Sequence, residues 1–385
     1  MRYIDQLLQG AEVEWTTLGD KKFIEIANTS RRPVKASNRI AGNTPYYGAN
    51  NIQDYVEGYT HDGTYVLVAE DGTTSVENYS VQWATGKFWA NNHVHVLRGI
   101  DCVNSRFLFH YLRIVDFAPF LTGGGRAKLT KKDLIRVPIP IPPLHVQQEI
   151  VRILDKFTEL ETELETELEL RKQQYERYRD QLLAPDKGFT VWKQIGEIFE
   201  IRNGYTPSKA NADFWTNGAI PWHRMEDLRA NERILEDSIQ HITPQAIKGK
   251  GLFKAGSIIL ATSATIGEHA LINTDAMANQ RFTNFSIRKS LADSLIPKFI
   301  YYYFFVIDEW CKQNVNVSSF PSVDIERLKS VLFPIPPLHV QQRIVSLLDK
   351  FHTLTTSISE GLPREIELRK QQYAYYRDQL LSFER

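Results

Sequence analysis

Two short runs gather side chains able to read the hydrogen-bonding edges of planar bases: Asn91, Asn92 and His93, and, far downstream, Asn279, Gln280 and Arg281. Asn and Gln pair one donor with one acceptor, which matches adenine, and the Arg fork matches guanine. The same residue types also build tight turns by bonding their own backbone, so a structural role stays open for each. Lys87 adds a cation to the first run, within Gly86-Lys-Phe-Trp-Ala-Asn-Asn-His93. Gly123-Gly-Gly-Arg126 and Lys128 offer exposed amides and charge to a phosphate, with Gly124, Arg126 and Lys128 as the candidate contacts; the alternative is a plain connector before a helix. In the second half, Tyr205, Thr206, Ser208 and Lys209 form a polar loop suited to groove or phosphate contact, and Arg224 ends the run Ile220-Pro-Trp-His-Arg224. Its neighbours Trp222 and His223 read as core. Ser318 and Ser319, before Phe320, stand where the first half has its glycine loop.

Motifs for covalent chemistry are missing. The chain has no Asn-Pro-Pro-Tyr/Phe, no Gly-x-Gly-x-x-Gly and no Gly-x-x-x-x-Gly-Lys-Ser/Thr, so neither methyl transfer nor ATP hydrolysis is expected of it. Cys102 and Cys311 lie far apart without a CxxC or Cys/His cluster, which points away from a disulfide or zinc site; both read as small buried residues. No signal peptide or bilayer-spanning run is legible, so the expected location is the cytoplasm. Lys and Arg number 46, equal to Asp and Glu. Residues 1–137 carry 16 basic against 14 acidic side chains and residues 184–332 carry 17 against 16. A nucleic-acid binder of this balance must cluster its cations or share phosphate neutralisation with partners.

The elements that position these residues are set by a large internal repeat. Pro142-Pro-Leu-His-Val-Gln-Gln-Glu-Ile-Val-Arg-Ile-Leu-Asp-Lys-Phe157 returns as Pro336-Pro-Leu-His-Val-Gln-Gln-Arg-Ile-Val-Ser-Leu-Leu-Asp-Lys-Phe351, and Leu170-Arg-Lys-Gln-Gln-Tyr175 with Tyr178-Arg-Asp-Gln-Leu-Leu183 as Leu368-Arg-Lys-Gln-Gln-Tyr373 with Tyr376-Arg-Asp-Gln-Leu-Leu381. Apolar residues fall at spacings of three, four or seven, so each copy predicts a long amphipathic helix entered through a proline-rich extended segment. The first should run about 40 residues, roughly 60 Å. Gly361 and Pro363 should break or kink the second. Thr158–Glu169 reads Thr-Glu-Leu-Glu three times, a helical stretch whose glutamates form a solvated face. Gln147, Gln148, Gln341 and Gln342, with nearby tyrosines, offer a docking surface for partner subunits, unless they simply face solvent.

Two segments that resemble each other only in outline flank the helices. Each opens on Trp-x-x-x-Gly (Trp15, Trp192), contains β-type runs (Thr64–Ala69, Ser257–Ala261) and a later helical stretch (Phe107–Val115, Pro297–Glu309), and closes on a Pro-Ile-Pro-Pro run. They predict mixed α/β modules. Tyr3-Ile-Asp-Gln-Leu-Leu8 echoes the end of both long helices, so the repeat is cyclic.

The duplicated Pro-Pro-Leu-x-x-Gln-Gln-x-Ile-Val…Leu-Asp-Lys-Phe and Arg-Lys-Gln-Gln-Tyr-x-x-Tyr-Arg-Asp-Gln-Leu-Leu motifs resemble the central and C-terminal regions of type I restriction-modification specificity subunits, and the Thr-Glu-Leu-Glu run is similar to the tandem repeats of the type IC group. The resemblance covers the whole chain. It implies a mixed α/β (α+β) fold: two globular target-recognition domains, residues 1–137 and 184–332, separated by conserved helices at 138–183 and 333–385 that pack as an antiparallel coiled coil with pseudo-two-fold symmetry. It implies a non-catalytic subunit that reads a bipartite double-stranded DNA site. Its partners would be two methyltransferase subunits carrying S-adenosylmethionine and restriction subunits using ATP and Mg. An independent two-module DNA-binding regulator and a coiled-coil scaffold without a nucleic-acid role are the rival readings.

Overall fold

A computed structural model of the chain describes residues 2–71, 75, 78–123, 128–184, 188, 190–230, 233–316, 321–356 and 360–384. It divides into two compact units, Met1–Glu163 with Ile366–Arg385, and Leu164–Glu365. Each unit combines one module with parts of both repeat helices.

The central helix runs unbroken over Leu144–Leu183, 40 residues. Pro142 and Pro143 cannot extend it backwards, and the Pro143 carbonyl accepts the first helical N–H bonds, from Val146 and Gln147. The second copy forms Leu338–Thr356 and Gly361–Leu381. The break falls at Gly361 as the sequence predicts: φ is +77°, and a Cβ there would lie 2.6 Å from the Thr353 carbonyl oxygen.

Within the first unit, Phe157 stacks on Tyr376 at 5.4 Å and meets Tyr373 edge-on, while Val146, Ile150 and Leu154 share a core with Leu380 and Leu381. Rising numbers on one helix meet falling numbers on the other, so the pairing is antiparallel. Within the second unit Tyr178 stacks on Phe351 at 5.5 Å with Tyr175 alongside, the same Phe/Tyr/Tyr arrangement. Leu160, Leu164 and Leu168 of the Thr-Glu-Leu-Glu run are half-buried, whereas five of its six glutamates are exposed; Glu161 pairs with Lys370 at 3.4 Å.

The modules share a topology that their sequences barely show. The main sheet of the first has strand order Ile24–Ile26, Val94–Gly99, Tyr65–Ala69, Val81–Ala84; that of the second has Phe199–Asn203, Phe282–Ile287, Ser257–Ala261, His269–Ile272, with Ile234–Leu235 added at the edge. The fully buried strands Tyr65–Ala69 and Ser257–Ala261 read as continuous apolar runs because both faces are covered. The helix Ser105–Leu112 packs on the first sheet and Pro297–Gln313 on the second. A second sheet, of four strands in the first module and three in the second, carries Ala41–Gly48 in one and Ile220–His223 in the other. Finally, Glu14–Thr17 pairs with Pro138–Ile141, and Val191–Gln194 with Leu332–Ile335, so each opening tryptophan sits opposite a proline of the closing run (Trp15 and Pro140, Trp192 and Pro334).

Cys102 corrects the expectation of two buried cysteines: it lies exposed in the turn before the Asn104-capped helix, and only Cys311 is buried. Among the described residues no helix is long and apolar enough to cross a membrane.

Candidate functional site

Backbone register brings the two candidate runs to one structural position. Tyr46 and Tyr47 pair in parallel with Trp89 and Ala90, and Trp222 and His223 pair in parallel with Met277 and Ala278. The next residue in each case, Asn91 or Asn279, donates its N–H across the sheet to Tyr47 or His223 (3.2 and 3.1 Å). Its side-chain oxygen then accepts the N–H two residues on, of His93 (2.8 Å) or Arg281 (2.9 Å). These are Asx turns, and their work is local. Asn91 is buried, which corrects the expectation that it reads a base, and Asn279 is half-buried; the two turns hold out Asn92 and His93 in the first unit and Gln280 and Arg281 in the second, all four exposed.

In the first unit a charged group surrounds the turn. His93 Nδ1 lies 2.5 Å from Asp71, Lys128 lies 3.8 Å from Asp71 and 3.4 Å from Glu70, and Arg31 binds Glu70 at 2.7 Å. Burial pushes the Glu70 carboxyl up, but Arg31, His95 and Lys128 together outweigh it and hold the group ionised below its ordinary range. The backbone is stitched at the same place: Glu70 N–H donates to His93 O (2.8 Å) and Leu129 N–H to Glu70 O (2.7 Å). Thus Asn92, His93 and Lys128 lie around one turn. Lys87 begins the strand that leads to the turn, and its ammonium sits 4.7 Å over the Tyr59 ring, outside the Asp71 group. Gly124 and Arg126 lie outside the described residues, as do Ser318 and Ser319.

In the second unit the polar loop docks on the turn because residue 204 is glycine: a Cβ there would come within 2.3 Å of the Asn279 carbonyl oxygen and 2.4 Å of that of Ala278. Tyr205 N–H donates to Ala278 O (2.9 Å), and the Thr206 hydroxyl donates to the Gln280 side-chain oxygen. Ser208 and Lys209 follow, both exposed. Tyr205 itself braces the loop: its hydroxyl donates to Ala246 O (2.8 Å) and accepts from Lys248 N–H (2.8 Å), and its carbonyl accepts from the Trp222 indole (3.0 Å). Trp222 and His223 are core, as read from sequence; burial pushes His223 down to about 4, so the ring is neutral. Arg224 is half-buried, and its Nε lies 3.2 Å from Glu226.

The repeat glutamines divide. Gln148 and Gln342 are exposed, but Gln147 and Gln341 are fully buried and cannot serve as docking surface. Gln147 Oε1 accepts from Asn104 N–H (2.8 Å), and Nε2 donates to Cys102 O (2.9 Å) and Pro142 O (2.8 Å). Gln341 repeats the pattern with Ile296 N–H (2.9 Å), Ser294 O (2.9 Å) and Pro336 O (2.7 Å). A second clamp lies two turns further along each helix. Asp155 accepts from Arg106 (2.8 Å) and His110 (2.7 Å), and Asp349 accepts from Lys298 (2.8 Å) and Tyr302 (2.6 Å). Sequence reasoning passed over these aspartates. Their signal was the repeated Leu-Asp-Lys-Phe, but the partners differ in type between modules and only the fold pairs them.

The family model for the type I restriction modification DNA specificity domain matches residues 12–170 and again 190–368. A putative type I restriction enzyme specificity subunit of Haemophilus influenzae is 44% identical over 99% of this chain and 98% of its own length. A type I restriction enzyme specificity subunit of Escherichia coli is 34% identical over 100% and 97%. The crystal structure of an S subunit from M. genitalium has the same fold at TM-score 0.55 and 13% identity, covering 98% of each chain. The chain belongs to the family of type I restriction-modification specificity subunits.

Proposed function

We propose that the two modules each read one half of a bipartite double-stranded DNA site, through Asn92, His93 and Lys128 in the first and through Thr206, Ser208, Lys209, Gln280 and Arg281 in the second. One observation carries this: two Asx turns at the same place in the same topology present different side chains, Asn-His against Gln-Arg. A shared scaffold with divergent tips suits two different half-sites. The chain performs no chemistry itself. Two methyltransferase subunits supply S-adenosylmethionine and methyl transfer, restriction subunits supply the ATP- and Mg-dependent steps, and the partners contribute the positive charge that the near-neutral modules lack. The central helix sets the spacer between half-sites.

Co-expression with the neighbouring modification gene in a host lacking other methylation, followed by mapping of methylated adenines, tests this reading. A split motif of fixed spacer that vanishes without this chain is the expected result. Specific DNA binding by the chain alone would favour the independent regulator, and a stable complex that retains no oligonucleotide would favour the scaffold.

A further inference from the structure

The backbone bonds behind the two Asx turns align the modules residue by residue. In the first unit Glu70 N–H donates to His93 O (2.8 Å), Leu129 N–H donates to Glu70 O (2.7 Å), and Asp71 forms a β-bridge with Lys128. In the second, Thr262 N–H donates to Arg281 O (3.0 Å), Val323 N–H donates to Thr262 O (2.9 Å), and Ser263 forms a β-bridge with Ser322. Asp71 therefore stands where the second module has Ser263, Lys128 where it has Ser322, and His93 where it has Arg281. The histidine tip comes with a carboxylate at its side; the arginine tip comes with a hydroxyl residue at the same place.

This difference decides which hydrogen-bonding role each tip keeps. An ionised carboxylate only accepts, so the 2.5 Å contact between His93 Nδ1 and Asp71 Oδ1 puts a ring proton on Nδ1. Lys128 lies 3.8 Å from the other oxygen of Asp71 and 3.4 Å from Glu70, which Arg31 also binds, so two cations already match the two carboxylates. On a neutral imidazole with its proton on Nδ1, Nε2 carries a lone pair, and here it takes no partner among the described residues. The Arg281 guanidinium has donors only. It is exposed, takes no side-chain partner among the described residues, and has no carboxylate at position 263 to occupy its fork.

We propose that Asp71 is a positioning residue that makes His93 Nε2 a hydrogen-bond acceptor, so that the first module reads the exocyclic amino group of a base, adenine N6 or cytosine N4, in the major groove. Those two amino groups are the base-edge donors that the groove offers to an acceptor. The second module, with Arg281 and no carboxylate beside it, makes its contact with the opposite polarity. The inference rests on the reading surface proposed above and adds to it the chemical class of base that the first tip accepts.

The test is equilibrium binding of the complex with modification subunits to duplexes of its mapped site, with each adenine replaced in turn by purine and each cytosine by pyrimidin-2-one, which lack the exocyclic amino group. His93→Ala identifies the half-site that the first module reads. Within it, loss of one amino group should weaken binding roughly tenfold in the wild-type complex and less than about twofold with His93→Ala or Asp71→Ser. An adenine position assigns N6, and a cytosine position N4. Coupling of His93 to no amino group, or an amino-group effect that survives Asp71→Ser, overturns the proposal. Uniform weakening of one half-site by His93→Ala does so too but leaves the reading surface standing, whereas binding of both half-sites as tight as wild type removes that surface as well. A full-length chain labelled with 15N-histidine gives a readout without DNA: the His93 signals, identified by their absence in His93→Ala, should show a proton on Nδ1 alone, and protons on both nitrogens or on Nε2 alone overturn the proposal. Ser263→Asp, which does not depend on Asp71→Ser folding, should engage Arg281 and weaken the second half-site roughly tenfold with the first unchanged; an unaltered second half-site would show that a carboxylate at this place does not govern the tip.

Discussion

Asn91 and Asn279 illustrate how a polar side chain is divided between turn and ligand: once Oδ1 has accepted the i+2 N–H, the residue orients its neighbours and no longer presents its full edge. In the proposed function, recognition rests on the next two side chains. Arg281→Ala is expected to weaken binding to one half-site by about 1 to 3 kcal/mol while leaving the other unchanged, measured by competition between oligonucleotides altered in one half-site at a time. The buried glutamines make a different prediction. Gln147→Ala strips partners from the Asn104 N–H and two carbonyls, and Gln341→Ala does the same at Ile296, so each should destabilise its own unit by about 2 to 3 kcal/mol, the scale of leaving buried polar groups unsatisfied. Urea unfolding followed by hydrogen exchange should find the loss confined to the unit mutated.

At the scale of elements, a helix, a turn and a loop are held in register by close approaches that only small residues allow. Gly204 sets the loop 205–209 on the Asn279 turn, and Gly204→Ala should push the two apart, costing the second unit about 1 to 3 kcal/mol. Recognition of the second half-site should fall with it, and the first unit should melt as before; unaltered discrimination at the second half-site would remove this loop from the reading surface. The clamps belong to the same scale. Gln147 with Asp155, and Gln341 with Asp349, tie a module helix to a repeat helix at two points each, so a module keeps its attitude on the helix even though the clamped residues are Arg and His in one unit and Lys and Tyr in the other.

For the molecule as a whole, the continuous helix Leu144–Leu183 is the physical link between the modules in sequence. Removing one Thr-Glu-Leu-Glu unit would shorten it by roughly 6 Å and change its phase by only about 40°, which corresponds to one or two base-pair rises of about 3.4 Å. A shorter spacer with unchanged half-sites is the expected methylation pattern, and unchanged spacing would refute the ruler. Charge also belongs to this scale. The cations around the first unit's turn are matched by Glu70 and Asp71, so on the proposed function this surface adds little net positive charge and tight, salt-sensitive binding should appear only in the complex.

The sequence by itself determined the duplication, the two long helices, the break at Gly361, the mixed α/β modules and the family, because periodicity, proline punctuation and repeated motifs are local properties of a chain. It also placed both candidate runs at comparable points. Only the tertiary structure separated Gln147 from Gln148, Asn91 from Asn92 and Tyr205 from Thr206, and only it revealed Asp71, Asp155 and Asp349 as partners of the site and its supports. Adjacent polar residues look alike in sequence; which of them keeps its hydrogen-bonding capacity for a ligand depends, for Gln147 and Tyr205, on backbone groups brought near from 40 or more positions away, and for Asn91 on a turn whose backbone is pinned across the sheet to Tyr47, and that is settled by packing.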